Sequence, residues 1–196
     1  MSALLDIFHH RYFLWSVLGL PFVYLAYAYQ QEQLFYGEVI HSTGELSVRA
    51  FMLALIATPL VMMFPGKAFP RWLKKSRRYF GISSFAYAAL HTVVYLGKVD
   101  LWPDIVKEAL MAEYWTGWIA LAIFFVLAVT SNDSSVRLLK RAWKKLHRIA
   151  YLAGVLLFTH WVLVAFDRGP AIAHLLVLAG FEGYRIWREK FEGQYT

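Results

Sequence analysis

The sequence of 196 residues contains no cysteine. Disulfide bonds, thiolate-ligated haem and iron–sulfur clusters are therefore excluded. Charged residues are also scarce, because Asp, Glu, Lys and Arg together make up only 17% of the chain. The sequence has no glycine-rich motif for a dinucleotide or a phosphate and no evident internal repeat. We therefore do not expect the chain to bind a nicotinamide cofactor by itself.

Apolar residues dominate the composition. They account for 59% of the chain, whereas an ordinary soluble domain has roughly 45–50%. A membrane-spanning helix needs roughly 20 mostly apolar residues, and six segments come close to this requirement. We predict an all-α integral membrane protein, a six-helix bundle that forms a single domain over residues 1–196. The predicted spans are residues 12–30, 46–64, 79–97, 115–130, 149–166 and 170–187.

The basic residues predict how this bundle is oriented. They concentrate in the predicted loops 64–79 and 130–149, whereas the other connections hold few of them. Because loops rich in Lys and Arg stay in the cytoplasm, both termini are expected on the cytoplasmic side (N-in, C-in). Basic residues divided between two short loops beside the membrane indicate contact with lipid headgroups and not with nucleic acid.

Two histidines lie deep in the predicted spans. His91 is 12 residues past residue 79, and His160 is 11 residues past residue 149. Both therefore lie roughly 16–18 Å from the cytoplasmic edge, and two imidazoles at one depth suit the axial positions of a haem iron held between helices. We predict that they share one haem. The alternative for either residue is a hydrogen bond between helices, and His174, near the same depth, is a competing ligand.

A third histidine, His147, predicts a second site nearer the cytoplasm. It precedes His160 by 13 residues, about 20 Å along a helix, although 13 residues also rotate an ideal helix by about 220°. At the matching place of the third span the sequence has Arg77 and Arg78 instead of a histidine. Arginine suits a haem propionate or a flavin phosphate better than it suits iron. Any inner cofactor is thus expected to depend on His147, with Arg77 or Arg78 at its anionic groups.

An ordered series of motifs resembles the ferric-reductase-like transmembrane family, and within it the MsrQ subfamily. A Thr-Pro-Leu segment ends the second span, Arg-Arg-Tyr-Phe-Gly opens the third, and Tyr-Ala-Ala-Leu-His follows within it. The resemblance covers roughly residues 40–165. Its motifs lie at residues 41–44, 58–60, 77–81, 87–91, 130–132, 146–148 and 160–161.

This resemblance implies a multi-pass protein of the bacterial inner membrane that binds haem b, one or two per chain, with FMN as a further candidate. His91, His147 and His160 match the haem-binding histidines of the family. The resemblance also implies a periplasmic partner, a molybdopterin enzyme that reduces methionine sulfoxide. Electrons would come from the quinone pool or from a flavin reductase.

The leading hypothesis is an electron-transfer subunit of an oxidoreductase system and not a complete enzyme. Electrons from quinol or a flavin reductase would pass through haem to a periplasmic acceptor. Two alternatives stay open. One is a stand-alone transmembrane reductase of ferric chelates or oxygen. The other is a non-redox transport or assembly subunit, whose histidines serve protons or helix packing.

Overall fold

The computed structural model describes residues 11–98, 106–108 and 110–191. These residues are helical with short connections, and no strand occurs among them. For this part of the chain the all-α prediction is confirmed. The helices are, in chain order, α1 Arg11–Gln30, α2 Tyr36–Met63, α3 Ala68–Leu96, α4 Ala112–Val129, α5 Asp133–Leu139, α6 Arg141–His147, α7 Ala150–Val164 and α8 Gly169–Phe191.

Five stretches of the described residues are long and apolar enough to cross a membrane. Four are the helices α1 to α4, and the fifth consists of α6 and α7 together, Arg141–Val164. The predicted sixth span does form a helix, α8, with 23 residues. It is not among the five, because charged side chains fill its second half. These are Glu182, Arg185, Arg188, Glu189 and Lys190.

Both basic segments are largely helical, which corrects the prediction of loops at 64–79 and 130–149. α3 begins at Ala68, just after a turn in which Gly66 adopts φ 80°. The basic residues from Arg71 to Arg78 therefore lie on the first turns of a 29-residue helix. Lys and Arg have high helix propensity, so the helix continues out of the apolar layer. Similarly, residues 36–45, predicted as loop, are the first turns of α2.

α2 packs along α3 through small side chains. The Ser47 hydroxyl of α2 donates to the Ser84 carbonyl of α3 at 2.9 Å, and both serines are buried. Small residues allow membrane helices to approach closely. α1 contacts the same pair, since the Tyr87 hydroxyl of α3 donates to the Leu18 carbonyl of α1 at 2.6 Å. These contacts fix α3, which carries His91.

α4 packs against α7, and the two helix pairs meet in one apolar core. Phe51 of α2 and Phe124 of α4 have ring centroids 5.0 Å apart. Leu157 and Phe158 of α7 and Leu178 of α8 belong to the same cluster. The core therefore joins α2, α4, α7 and α8.

A tight turn at residues 148–149 separates α6 from α7. The amides of Arg148, Ile149 and Tyr151 donate to carbonyls three residues earlier. This is the pattern of a 3₁₀ turn, in which each residue rotates the chain further than in an α-helix. The predicted rotation of about 220° between His147 and His160 assumes a continuous α-helix, which the chain does not form.

The two ends of the bundle are named here by the residues that lie there. We call the end near Tyr36, Tyr114 and Ala165 the cavity end. The opposite end, near Arg78 and His147, is the basic end. Each helix of the α2–α3 and α4–α7 pairs runs from one end to the other.

Candidate functional site

A cavity of about 710 Å³ lies at the cavity end, between α2, α3, α4 and α7. Its wall is mostly apolar and aromatic, as is usual for a pocket that holds a cofactor or ligand. Val48, Phe124 and Leu157 belong both to the cavity wall and to the apolar core. The core therefore forms the floor of the cavity.

His91 of α3 and His160 of α7 meet in this cavity. Their ring centroids are 6.3 Å apart, and the ring planes are nearly perpendicular at 88°. Metal–imidazole nitrogen bonds are about 2.0–2.1 Å long, and a ring centroid lies about 1 Å beyond the bonded nitrogen, so two axial imidazoles place their centroids roughly 6 Å apart. The observed separation matches two ligands of one metal ion.

The tautomer of His91 is fixed by the main chain of α2. Its Nδ1 donates to the Ile40 carbonyl at 2.9 Å. A carbonyl oxygen only accepts hydrogen bonds, so Nδ1 carries the proton. In a neutral imidazole Nε2 then keeps its lone pair. Metal-binding histidines commonly donate their other ring N–H in this way.

His160 is fixed in the same manner by α4. Its Nδ1 donates to the main-chain carbonyl of Glu113, which again leaves Nε2 with the lone pair. Both rings lie against glycine, His91 against Gly44 and His160 against Gly117. The two imidazoles are thus presented in the same tautomer from opposite helix pairs.

Aromatic and polar side chains surround the mouth of the cavity. The Tyr95 hydroxyl donates to the Glu108 carboxylate at 2.5 Å. The rings of Tyr114 and Trp118 lie 5.8 and 6.4 Å from the Tyr95 ring, centroid to centroid. Tyr36 lies under the Lys98 ammonium group, 5.6 Å from its ring centroid. The mouth can therefore hydrogen bond to the polar edge of a ligand whose apolar body fills the cavity.

His147 lies at the basic end, and its ring is already engaged. Its Nε2 is 3.1 Å from the Thr130 hydroxyl, and the ring stacks on Trp143 with centroids 3.9 Å apart. The Thr130 hydroxyl donates to the Val126 carbonyl at 2.7 Å, so His147 donates to Thr130. Trp143 donates its indole N–H to the Thr130 carbonyl at 2.9 Å. These contacts cap the last turn of α4.

The two predicted arginines also lie at the basic end. Arg78 forms an ion pair with Asp133 of α5 at 2.8 Å, and the charges of Arg77 and Arg78 both act on the His147 ring. The structure thus brings His147, Arg77 and Arg78 into one neighbourhood. It brings no second histidine to them among the described residues.

His174 lies behind the cavity wall. Its Nδ1 donates to the Pro170 carbonyl of its own helix at 2.7 Å, and its ring is 5.3 Å from the ring of Trp161, centroid to centroid. Trp161 lines the cavity, whereas His174 is not among the described lining residues. His174 as a competing ligand therefore stays a prediction.

Sequence reasoning missed the groups that hold the two histidines. Gly117 and the carbonyls of Ile40 and Glu113 were not predicted as part of the site. One signal was available, because Thr-Gly occurs twice in the sequence, at residues 43–44 and 116–117. Main-chain acceptors leave no trace in the sequence, so only the folded chain reveals them.

Comparisons with known proteins identify the family of this chain. Residues 43–158 match the model of the ferric reductase like transmembrane component. The chain is 36% identical over 165 residues to the protein-methionine-sulfoxide reductase haem-binding subunit MsrQ of Xanthomonas axonopodis pv. citri, covering 81% of this chain and 73% of that protein. It is 33% identical over 165 residues to MsrQ of Caulobacter vibrioides, covering 81% of this chain and 74% of that protein.

No solved structure matches the chain. The family match extends over more than half of the residues, and it includes His91 and His147 but ends two residues before His160. Together with the apolar helices, it confirms the predicted resemblance and the predicted location. The chain is therefore a multi-pass protein of the bacterial inner membrane and belongs to the ferric-reductase-like transmembrane family, with the MsrQ haem-binding subunits as relatives.

Proposed function

We propose that this chain is a haem b electron-transfer subunit that carries electrons through the inner membrane to a periplasmic redox partner. The proposal rests on one observation. His91 and His160 lie 6.3 Å apart in one cavity, and both Nδ1 atoms donate to main-chain carbonyls. Two imidazoles, each with a lone pair on Nε2, thus lie at the centroid separation expected for two ligands of one iron.

The donor set favours haem over a metal ion bound by protein ligands alone. A structural zinc site uses four side-chain ligands and a catalytic one uses three. Among the described residues no group of three or more His, Cys, Asp or Glu side chains is suited to a metal ion. Two imidazoles without further side-chain ligands would fit a metal whose other ligands are supplied by a macrocycle such as haem. The apolar wall fits the body of such a group, and the polar mouth fits its propionates.

The residues of the chain have separate tasks in this site. His91 and His160 would hold the iron, while Val48, Phe124 and Leu157 would exclude water from the floor of the cavity. Haem supplies one-electron chemistry when it is bound, and the ligands and the polarity around them set its potential. We propose quinol or a flavin reductase as the electron donor.

We place the basic end in the cytoplasm, because Lys and Arg concentrate there and such segments are retained inside. Five spans satisfy length and apolarity, and α8 completes a six-helix, N-in and C-in bundle with its charged end inside. The single domain, residues 1–196, then has its histidine pair in the periplasmic half. The names of its relatives support a methionine sulfoxide reductase as the electron acceptor, and the resemblance stated above implies that this acceptor is a molybdopterin enzyme.

An inner cofactor on His147 stays a prediction, and the contacts of this residue set a condition for it. Ligation through Nε2 requires that His147 release the Thr130 hydroxyl, and Trp143 covers one face of the ring. The described contacts support a one-haem subunit in which His147 caps α4. Arg77 is then the candidate for an anionic group such as the phosphate of FMN or of a lipid, whereas Arg78 would first have to release Asp133.

The test is the reduced-minus-oxidised absorption spectrum of the purified full chain, with haem and protein both quantified. We expect a low-spin haem b spectrum and one haem per chain. A second haem would restore the inner site, and a protein without haem would favour the non-redox alternative. Rapid oxidation of the reduced protein by ferric citrate without any partner would favour the stand-alone reductase.

A further inference from the structure

The two histidines are held by the same arrangement of residues in two unrelated stretches of the chain. Each ring lies on the first turns of a neighbouring helix, where a Thr-Gly pair occurs. The Ile40 carbonyl and Gly44 of α2 contact His91, and the Glu113 carbonyl and Gly117 of α4 contact His160. Thr43 and Thr116 directly precede the two glycines. We call each set of Thr, Gly and accepting carbonyl a cradle.

In the first cradle, the accepting carbonyl belongs to Ile40, four residues before Gly44. The hydroxyl of Thr43 donates to the Val39 carbonyl at 2.7 Å and also lies 3.1 Å from the Ile40 carbonyl. Thr43 is completely buried. The hydroxyl and the imidazole of His91 therefore share one carbonyl.

The second cradle repeats this spacing. The accepting carbonyl belongs to Glu113, four residues before Gly117. The Thr116 hydroxyl donates to the Ala112 carbonyl at 2.7 Å and lies 3.4 Å from the Glu113 carbonyl. Thr116 is buried as well. The same three groups thus recur, although the surrounding sequences differ.

The need for glycine follows from helix geometry. A helical Cα–Cβ bond points towards the N-terminus, so a side chain covers the turn before its own Cα. A residue at position 44 therefore stands over the carbonyl of residue 40. At Gly44 an added Cβ would lie 3.3 Å from the His91 Nδ1, and at Gly117 it would lie 2.8 Å from the His160 Nδ1. Glycine keeps each carbonyl open to the imidazole, and the second cradle is the tighter one.

We propose that the two Thr-Gly cradles are positioning elements that fix the tautomer, the ring plane and the basicity of the two axial histidines. The inference rests on the proposed function, since it assigns a role towards the haem. Because glycine has no side chain, each imidazole can reach the carbonyl that accepts its N–H. The threonine hydroxyls compete for that carbonyl and so limit how strongly the imidazole N–H is polarised. Both groups act on the iron through histidine, without touching it.

The glycine test uses Gly44→Ala and Gly117→Ala, with Gly81→Ala as a matched control. Gly81 lies on α3 like His91, and a Cβ there meets no atom within 4 Å. We expect Gly117→Ala to lose haem about tenfold or more, the scale known for outer-shell partners of metal ligands. Gly44→Ala should lose less and raise the midpoint potential, because a displaced imidazole is a weaker donor to ferric iron. Gly81→Ala should match the unmodified chain.

The threonine test separates positioning from folding. Thr43→Val keeps the shape but removes the hydroxyl, so the Ile40 carbonyl should accept more strongly from His91. The imidazole becomes more basic, and the midpoint potential should fall, opposite to the change in Gly44→Ala. Circular dichroism should report the same helix content for each variant. If the glycine variants do not accumulate, the sign of the Thr43→Val shift decides.

The outcomes also distinguish this proposal from the proposed function. Absence of haem from the unmodified chain would overturn the proposed function. If the unmodified chain binds haem, while Gly117→Ala resembles Gly81→Ala in haem content and potential, the cradles have no positioning role. An unchanged or raised potential in Thr43→Val would likewise overturn the role of the hydroxyl.

Discussion

The cavity end and the basic end each contain partly buried histidine, yet the two ends use it differently. At the cavity end, His91 and His160 donate through Nδ1 to main-chain carbonyls and keep Nε2 for a ligand. At the basic end, His147 donates through Nε2 to Thr130, and its ring stacks on Trp143. The comparison teaches that histidines in one bundle differ in which ring nitrogen is already engaged, and that this nitrogen determines which one is left for a ligand.

Removal of either histidine at the cavity end should have the largest effect. We expect His91→Ala and His160→Ala to abolish the low-spin haem b spectrum, because each variant removes one of two axial ligands. The measurement is the reduced-minus-oxidised spectrum of purified protein with haem quantified. His174→Ala is the matched control and should leave the spectrum intact. A normal spectrum in both His91→Ala and His160→Ala would remove the basis of the comparison.

The orientation of the two ends is tested by reporter fusions. Fusions after Lys75 and after Lys144 should report the cytoplasm, because Lys and Arg accumulate at the basic end. A fusion after Asp104, which lies outside the described residues, should report the periplasm. The measurement is paired alkaline phosphatase and fluorescent protein activity. The reverse pattern would place the histidine pair in the cytoplasmic half and reverse the proposed direction of electron flow.

Removal of His147 should have the smallest effect. We expect His147→Ala to keep the spectrum and haem content of the unmodified chain and to lower the thermal midpoint slightly. A hydrogen bond between membrane helices contributes about 0.6 kcal/mol on average, and Thr130→Val should cause a similar loss. Haem content and thermal unfolding of both variants provide the check. Loss of half the haem in His147→Ala, but not in Thr130→Val, would show that His147 binds haem. Both ends of the bundle would then use histidine as a ligand.

The sequence was sufficient for the parts of the fold that depend on apolar length and on depth. Hydropathy located the helices, and equal distances from the basic segments predicted that His91 and His160 meet. The ends of the helices were less predictable. α3 begins eleven residues before the predicted residue 79, because a helix does not stop where its apolar character stops. The charged residues in the second half of α8 explain why this helix is not among the five stretches that are apolar enough to cross a membrane.

The contacts of the site were beyond the sequence. His147 occurs in a motif, but its bond to Thr130 depends on the turn at residues 148–149, which an ideal-helix calculation omits. The partners of the imidazoles at Ile40 and Glu113 are main-chain atoms, which every residue possesses. Only the fold determines that the carbonyls of Ile40 and Glu113 accept from the two imidazoles. The two Thr-Gly pairs were visible in the sequence, but their spacing to histidine differs, 47 residues in one case and 43 in the other.

The length of α3 has a consequence for membranes of different thickness. Its 29 residues extend about 44 Å, against a hydrocarbon layer of roughly 30 Å. Arginines at its basic end anchor the helix at one lipid surface, and His91 lies 13 residues, about 20 Å, beyond Arg78. In the orientation proposed above, the helix therefore sets the depth of His91 as a fixed distance from the cytoplasmic surface. A thicker bilayer would bury the histidine pair further from the periplasm and leave its distance to the cytoplasm unchanged.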